Sequence, residues 1–349
     1  VSASHALRVA LVVAPTFAWS LGCARGAVPC ASQRPTAGET VCATPGYDDR
    51  DYIVHLPPAY DGTTKLPVVL AFHGGAGKKE SMNRVTCRAG EAGAASCLSS
   101  AADAAGVIVI YPDGTPALLG ALRTWNAGGG VGELRCASGP ACKEGVDDIA
   151  YVRALLADVK AAVSVDEARV YATGLSNGAA MSHRLACEMA GDFAAIGAVA
   201  GGNQAAFAQG CAPSRPVPVM VIHGTNDPCW GYEGGVGACL QQDGKRYVSV
   251  RETLLGDDTH PGWVQRNGCG LTPRVEELPD ATADGTRVYR ELYEECREGA
   301  TVELLRVEGG GHSWPGGYPY FGEERIGKVS TDIDASSELL RFFAAHPRP

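Results

Sequence analysis

Apolar residues run along this chain in short, mostly apolar blocks separated by stretches with helical spacing. Residues 52–56, 67–72, 107–111, 169–173, 194–200, 217–222 and 302–307 form seven such blocks, each short enough and β-branched enough to predict a strand. Few of their positions alternate with polar residues, so the strands are expected to be buried on both faces. Between them, 101–105, 179–185 and 336–345 read as helices. So does 147–162, with Ile149, Val152, Leu155, Leu156 and Val159 on one face. Strands alternating with helices predict an α/β fold with a mostly parallel central sheet covered by helices on both faces. Ligands in such sheets bind beyond the carboxyl ends of the strands. The positions to read for chemistry are therefore His73-Gly74-Gly75, Asp113, Ser176, Asp227 and His312.

Gly174-Leu175-Ser176-Asn177-Gly178 lies between the 169–173 strand and the 179–185 helix. A strand, then G-x-S-x-G, then a helix is the context of a nucleophile elbow, where a tight turn lifts a serine hydroxyl out of the sheet. Glycine on either side lets strand and helix approach without a Cβ. A serine hydroxyl is a weak nucleophile at neutral pH and needs a base, which in turn needs an orienting acid. Among eight histidines, His312 follows Gly309-Gly310-Gly311 after the last apolar strand, where the Ser…Asp…His chain order puts the base. His73 and His223 each end a buried strand before glycine and suit structural hydrogen bonds. Asp227 is the acid: it follows the 217–222 strand, whereas Asp243, Asp257, Asp258, Asp280 and Asp284 sit in polar loops. Backbone N–H donors for an oxyanion are expected from Asn177 and from Gly75, with Ala76 as the alternative to Gly75. Trp125, Trp230, Tyr232, Trp314, Tyr318, Tyr320 and Phe321 lie in segments flanking the proposed site, and of these Trp125 and Trp314 are the candidate substrate-binding residues.

The composition narrows the class. A net charge of −9 argues against nucleic acid or an anionic membrane as partner. Residues 1–22 read as an export signal: Arg8, then an apolar stretch from 9 to 21 too short and too proline-interrupted to span a bilayer. Ser20-Leu21-Gly22-Cys23 resembles a bacterial lipoprotein box, with Ser20 where leucine usually stands. Cys23 is thus a candidate lipid anchor, and cleavage with release is the alternative. Residues 23–48, rich in Ala, Pro, Gly and Thr, read as a linker to a catalytic domain over 49–349. The chain has 13 cysteines without C-x-x-C or H-x-x-H spacing, which fits export and disulfides and gives no zinc site. Setting Cys23 aside, neighbour order suggests Cys30–Cys42, Cys87–Cys97, Cys136–Cys142, Cys187–Cys211, Cys229–Cys239 and Cys269–Cys296.

Five segments then occur together in order: Phe72-His73-Gly74-Gly75, Trp125-Asn126, Gly174 to Gly178, His223-Gly224-Thr225-Asn226-Asp227, and Gly310-Gly311-His312-Ser313-Trp314-Pro315-Gly316. In them the chain resembles the polyhydroxybutyrate-depolymerase-like esterases, which include many feruloyl and acetylxylan esterases. The resemblance runs from about Tyr52 to Phe343, and its most specific part is His-Ser-Trp-Pro-Gly. It implies a secreted, cofactor-free α/β-hydrolase with Ser176 as nucleophile, Asp227 as acid and His312 as base. The expected activity is feruloyl-esterase-like hydrolysis of small-molecule, oligosaccharide or polymer esters. Polyester depolymerisation is the alternative within enzymes, and a non-catalytic surface lipoprotein with a hydrolase fold is the alternative outside them.

Overall fold

The computed structural model describes residues 26–349 apart from 89, 91–96, 118–119, 121, 138, 238 and 240–243. The expected export signal over 1–22 and the lipid-anchor candidate Cys23 lie outside the described residues. In chain order the strands are β1 (Gly38–Thr44), β2 (Tyr47–Leu56), β3 (Leu66–Phe72), β4 (Ile108–Pro112), β5 (Thr115–Ala117), β6 (Leu122–Thr124), β7 (Val165–Leu175), β8 (Ala195–Val199), β9 (Val219–Gly224), β10 (Arg274–Glu277), β11 (Arg287–Tyr293) and β12 (Val302–Glu308). Ten of them form one sheet in the order β1-β2-β4-β3-β7-β8-β9-β12-β11-β10, and β5 and β6 pair as a separate hairpin. The middle, from β4 across to β12, is parallel throughout, while β1, β2, β10 and β11 pair antiparallel at the two edges.

The seven apolar blocks all become strands of this sheet, and β4, β8 and β9 are buried at every position. Side chains leave a strand alternately on its two sides. Val68, Leu70 and Phe72 accordingly enter one apolar core and Val69 and Ala71 the other. The first core is closed by the helix Asp148–Ala162, which buries all five residues of the expected face and is capped by Asp147 Oδ1 accepting the Ala150 N–H at 2.9 Å. The second is closed by Ala335–Ala345, capped by Asp334, with Leu339, Phe342 and Phe343 buried. This is the α/β-hydrolase arrangement. All six neighbour disulfides are formed.

The linker expected over 23–48 is corrected from residue 26 onward. Cys30–Gln33 is a helical turn and Gly38–Thr44 is the edge strand β1, in register with β2 and tied by Cys30–Cys42. Asp158 Oδ2 accepts the Cys30 N–H at 2.7 Å and the Tyr52 hydroxyl as well. An edge strand buries only part of its side chains, so its sequence lacks the apolar run that marks a central strand.

Candidate active site

The turn at Ser176 follows from what its neighbours exclude. β7 ends at Leu175 and the helix Asn177–Glu188 starts two residues later, so one residue carries the reversal. Ser176 takes φ 58°, ψ −115°, a conformation that costs a non-glycine residue roughly 1–3 kcal/mol and persists only where its surroundings dictate it. They do so here. A Cβ on Gly178 would lie 2.1 Å from the Phe72 carbonyl oxygen, and one on Gly174 would lie 2.5 Å from the Gly178 carbonyl carbon. Ser176 N–H donates to Val199 O at 2.9 Å, and Ser176 O accepts from Ala180 N–H at 3.0 Å. The residue is half-buried at the floor of a cleft.

His312 is brought to the same floor by the loop after β12, and Asp227 by the loop after β9, which pairs with β12. His312 Nδ1–H donates to Asp227 Oδ2 at 2.7 Å. The other carboxylate oxygen, Oδ1, accepts the backbone N–H groups of Cys229 and Trp230, each at 2.8 Å. His223 Nε2–H donates to Trp230 O at 2.7 Å and lies 3.2 Å from Asp227 Oδ2. Burial pushes the Asp227 carboxyl upward. The positive field of His312 and the hydrogen bonds of His223 and His312 outweigh it and hold the group well below the usual carboxylate range.

Gly75, in the loop after β3, lines the cleft beside Ser176 and His312. Ala76 N–H is engaged by Arg123 O at 2.9 Å, which favours Gly75 over Ala76 as an oxyanion donor. Asn177 is the first residue of its helix, where N–H groups have no intrahelical acceptor. Its side chain is taken up by Trp125: Trp125 N–H donates to Asn177 Oδ1 at 2.7 Å and Asn177 Nδ2 donates to Trp125 O at 3.1 Å.

The cleft has two lobes that share Gly75, Ala76, Ser176, Cys229, Cys239 and His312. The larger, about 550 Å³, is walled by Met82, Val85, Leu175, Pro228, Tyr320 and Ile326, among others. The smaller, about 380 Å³, has a more polar wall with Thr124, Arg135, Lys143 and Tyr247. The Cys229–Cys239 disulfide borders both.

Trp125 and Trp314 are corrected. Both indoles are fully buried, and neither lines a lobe. Trp125 Nε1–H donates to His73 O at 2.9 Å, and Trp314 Nε1–H donates to Ser336 Oγ at 3.2 Å. A ring with no exposed surface cannot contact a ligand, so both are packing residues behind the site. The aromatics that line the cleft with exposed surface are Tyr320, Phe321 and Tyr247, whereas Trp230 borders the smaller lobe but is itself buried. Met82, Val85 and Tyr247 carried no signal in the sequence, because they lie outside the strand ends. Asp227, Cys229 and His312 are the one His/Cys/Asp/Glu cluster with metal-like spacing among the described residues. Cys229 Sγ is in a disulfide, and His312 Nδ1 and Asp227 Oδ2 are bonded to each other, so the trio does not suit a cation.

No family model matches the chain. It is 31% identical over 294 residues to a protein named "Putative esterase NocK" of Nocardia uniformis subsp. tsuyamanensis, covering 84% of this chain and 78% of the relative. It is 27% identical over 269 residues to feruloyl esterase B of Piromyces equi, covering 76% of this chain and 42% of that longer protein. Among solved structures, the acetyl xylan esterase from Aspergillus awamori superposes over 88% of this chain and 100% of that one, with a TM-score of 0.54 and 13% identity, a likeness of fold. With the identity and extent of the Nocardia match, and with feruloyl esterases among its relatives, the chain belongs to the feruloyl-esterase-like family of α/β-hydrolases and is a carboxylic-ester hydrolase.

Proposed function

We propose that this chain is an exported serine esterase that cleaves hydroxycinnamoyl or closely related esters through an acyl-enzyme at Ser176. The observation that carries the reading is one cleft floor shared by Ser176, on its strained turn, and His312, whose far nitrogen is held by buried Asp227. His312 Nε2 takes the Ser176 proton as Oγ attacks the ester carbonyl carbon. The negative charge moves to the carbonyl oxygen, where the Gly75 and Asn177 N–H groups stabilise it. The intermediate collapses, the carbon–oxygen bond to the alcohol breaks, and His312 returns the proton to the departing oxygen. Water then attacks the acyl-enzyme with His312 again as base, releasing the acid and restoring Ser176. The larger, mainly apolar lobe suits an aromatic acyl group and the more polar lobe an alcohol such as a sugar.

Six disulfides support maturation in an oxidising compartment. The test of the reading is a substrate panel of methyl ferulate, methyl p-coumarate, aryl acetates and hydroxybutyrate oligomers, run with fluorophosphonate labelling. Turnover of the hydroxycinnamates together with label on Ser176 is the expected result. Turnover of the oligomers alone would move the substrate to polyesters. Absence of label on Ser176 would remove the mechanism.

A further inference from the structure

Asp113 directly follows β4, is 1% exposed, and takes no part in the chemistry above. It lies among the strand-end positions where ligands bind, yet it lines neither lobe of the cleft. Its carboxylate instead faces the loop after β3. Oδ1 accepts the Lys79 backbone N–H at 2.8 Å, and Oδ2 accepts from Lys79 Nζ at 2.9 Å. Arg123 Nε lies 3.4 Å from Oδ2, close but not aligned as a hydrogen bond. The carboxylate thus holds the far end of the loop that contains Gly75.

The near end and the middle of that loop are held by residues adjoining Asp113. Gly114 N–H donates to His73 Nε2 at 2.9 Å, and His73 Nδ1–H donates to Gly74 O at 2.8 Å. Arg123 Nη1 donates to Gly114 O at 2.9 Å, while Arg123 O accepts the Ala76 N–H at 2.9 Å. On the opposite side, Arg50 Nε donates to Asp113 O at 3.2 Å. Residues 73 to 79 are therefore suspended from one buried centre at three points: the His73 ring, the Ala76 N–H and Lys79. Gly75, between the first two, is fixed without a side chain of its own. Burial works against the charge of Lys79, and the hydrogen bond and field of Asp113 overcome this and raise its pKa, so Lys79 stays charged.

We propose that Asp113 is a positioning residue for the oxyanion site, setting the aim of the Gly75 N–H through Lys79, Arg123 and the adjoining Gly114–His73 bond. This rests on the reading of Gly75 as an oxyanion donor. An oxyanion donor acts on charge that exists only in the transition state. Misaiming it lowers kcat and leaves ground-state binding in place, whereas a purely structural acid would change stability alone.

The experiment measures kcat, KM and the affinity of a trifluoromethyl ketone analogue of the substrate, whose adduct with Ser176 carries an oxyanion, in Asp113→Asn and Lys79→Met. Removing an oxyanion donor outright costs on the order of 10²–10³ in kcat, so misaiming one through Asp113→Asn should cost about 10–100-fold. KM should stay within about 3-fold, and analogue affinity should fall by the same factor as kcat. Lys79→Met, which keeps Asp113 and its bond to the residue 79 N–H, should show the same pattern at about 3–10-fold and covers the case in which Asp113→Asn does not fold. Wild-type kcat in either folded variant, or a loss of kcat without a matching loss of analogue affinity, overturns the proposal. Fluorophosphonate labelling of wild-type Ser176 separates the two levels. Without label the esterase mechanism itself fails, and with label but no matched loss only the role of Asp113 fails.

Discussion

The two sides of the cleft floor are held by opposite physics. The Ser176 side is fixed by lack of room: Gly174 and Gly178 sit where a Cβ would fall 2.5 and 2.1 Å from backbone atoms, and Gly201 where one would fall 2.5 Å from Ser176 O. The His312 side is fixed by charge. One carboxylate, buried at Asp227, gathers two backbone N–H groups and two imidazoles. The first arrangement tolerates loss of the serine hydroxyl but no added carbon. The second tolerates changes of volume better than loss of its charge. Each side should therefore break under a different substitution, and the pattern of breakage tests the contrast.

Ser176→Ala should have the largest effect on rate and almost none on the fold, since it removes one oxygen from a turn held by its neighbours. A fall in kcat on the order of 10⁵–10⁶-fold is expected, with an unchanged melting temperature. Substantial residual turnover in the purified variant would place the nucleophile elsewhere.

Asp227→Asn should follow, at roughly 10⁴-fold in kcat/KM. The Cys229 and Trp230 N–H groups require an acceptor at Oδ1. The amide NH₂ must then occupy the Oδ2 position, where it faces His312 Nδ1. Two donors cannot pair, so the imidazole is driven to carry its proton on Nε2, towards the serine, in the tautomer that cannot accept. Near-normal kcat/KM in this variant would show that the charge at 227 is not what holds the base side.

Gly178→Ala probes the steric side. Glycine to alanine within a helix ordinarily stabilises by up to about 1 kcal/mol. Here the added carbon meets the carbonyls of Phe72 and His73, both backbone and neither free to move. The sign should reverse, with a loss beyond the ~1–3 kcal/mol usual for overpacking and a melting temperature lower by several degrees. A variant as stable as wild type would mean that room is not the constraint at the elbow.

The same contrast explains which parts were legible in the sequence. Steric demands write themselves as residue type: only glycine fits at 174 and 178, and strands buried on both faces leave mostly apolar runs such as Ile108–Pro112 and Val219–Gly224. The elbow, the parallel strands and the order Ser176, Asp227, His312 were therefore readable. Edge strands write little. β10 is exposed at all four positions and β11 buries few, so neither carries an apolar signature, and the sequence of β1 resembles a linker. Tryptophan is ambiguous for another reason. An indole offers an apolar body and one N–H, which serve a cleft or a core equally well, and Trp125 and Trp314 prove to be core. The hub role of Asp113 was not legible either, because its partners come from three separate segments that only the fold brings together.

The smallest expected effect concerns pH and the imidazole of His73, in the loop that carries Gly75. His73 is used neutral: Nδ1–H donates to Gly74 O while Nε2 accepts from Gly114 N–H, so a second proton would destroy an accepting site. Burial pushes its pKa from 6.5 down to about 4, against the smaller upward pull of the Gly74 carbonyl. In the unfolded chain this ring takes up a proton below about pH 6.5, and in the folded chain only below about 4. Between those values the unfolded state binds more protons, so stability falls as pH falls through that window. From pH 7 to pH 5 the ring should account for a loss of about 2 kcal/mol. Urea unfolding of wild type and His73→Gln at both pH values isolates it, because His183, which burial also lowers, and the carboxylates are common to both proteins. Wild type should lose about 2 kcal/mol more than the variant over that interval. Equal losses would show that the serine side does not depend on a neutral His73, and the contrast with the charged Asp227 side would shrink to one of volume alone.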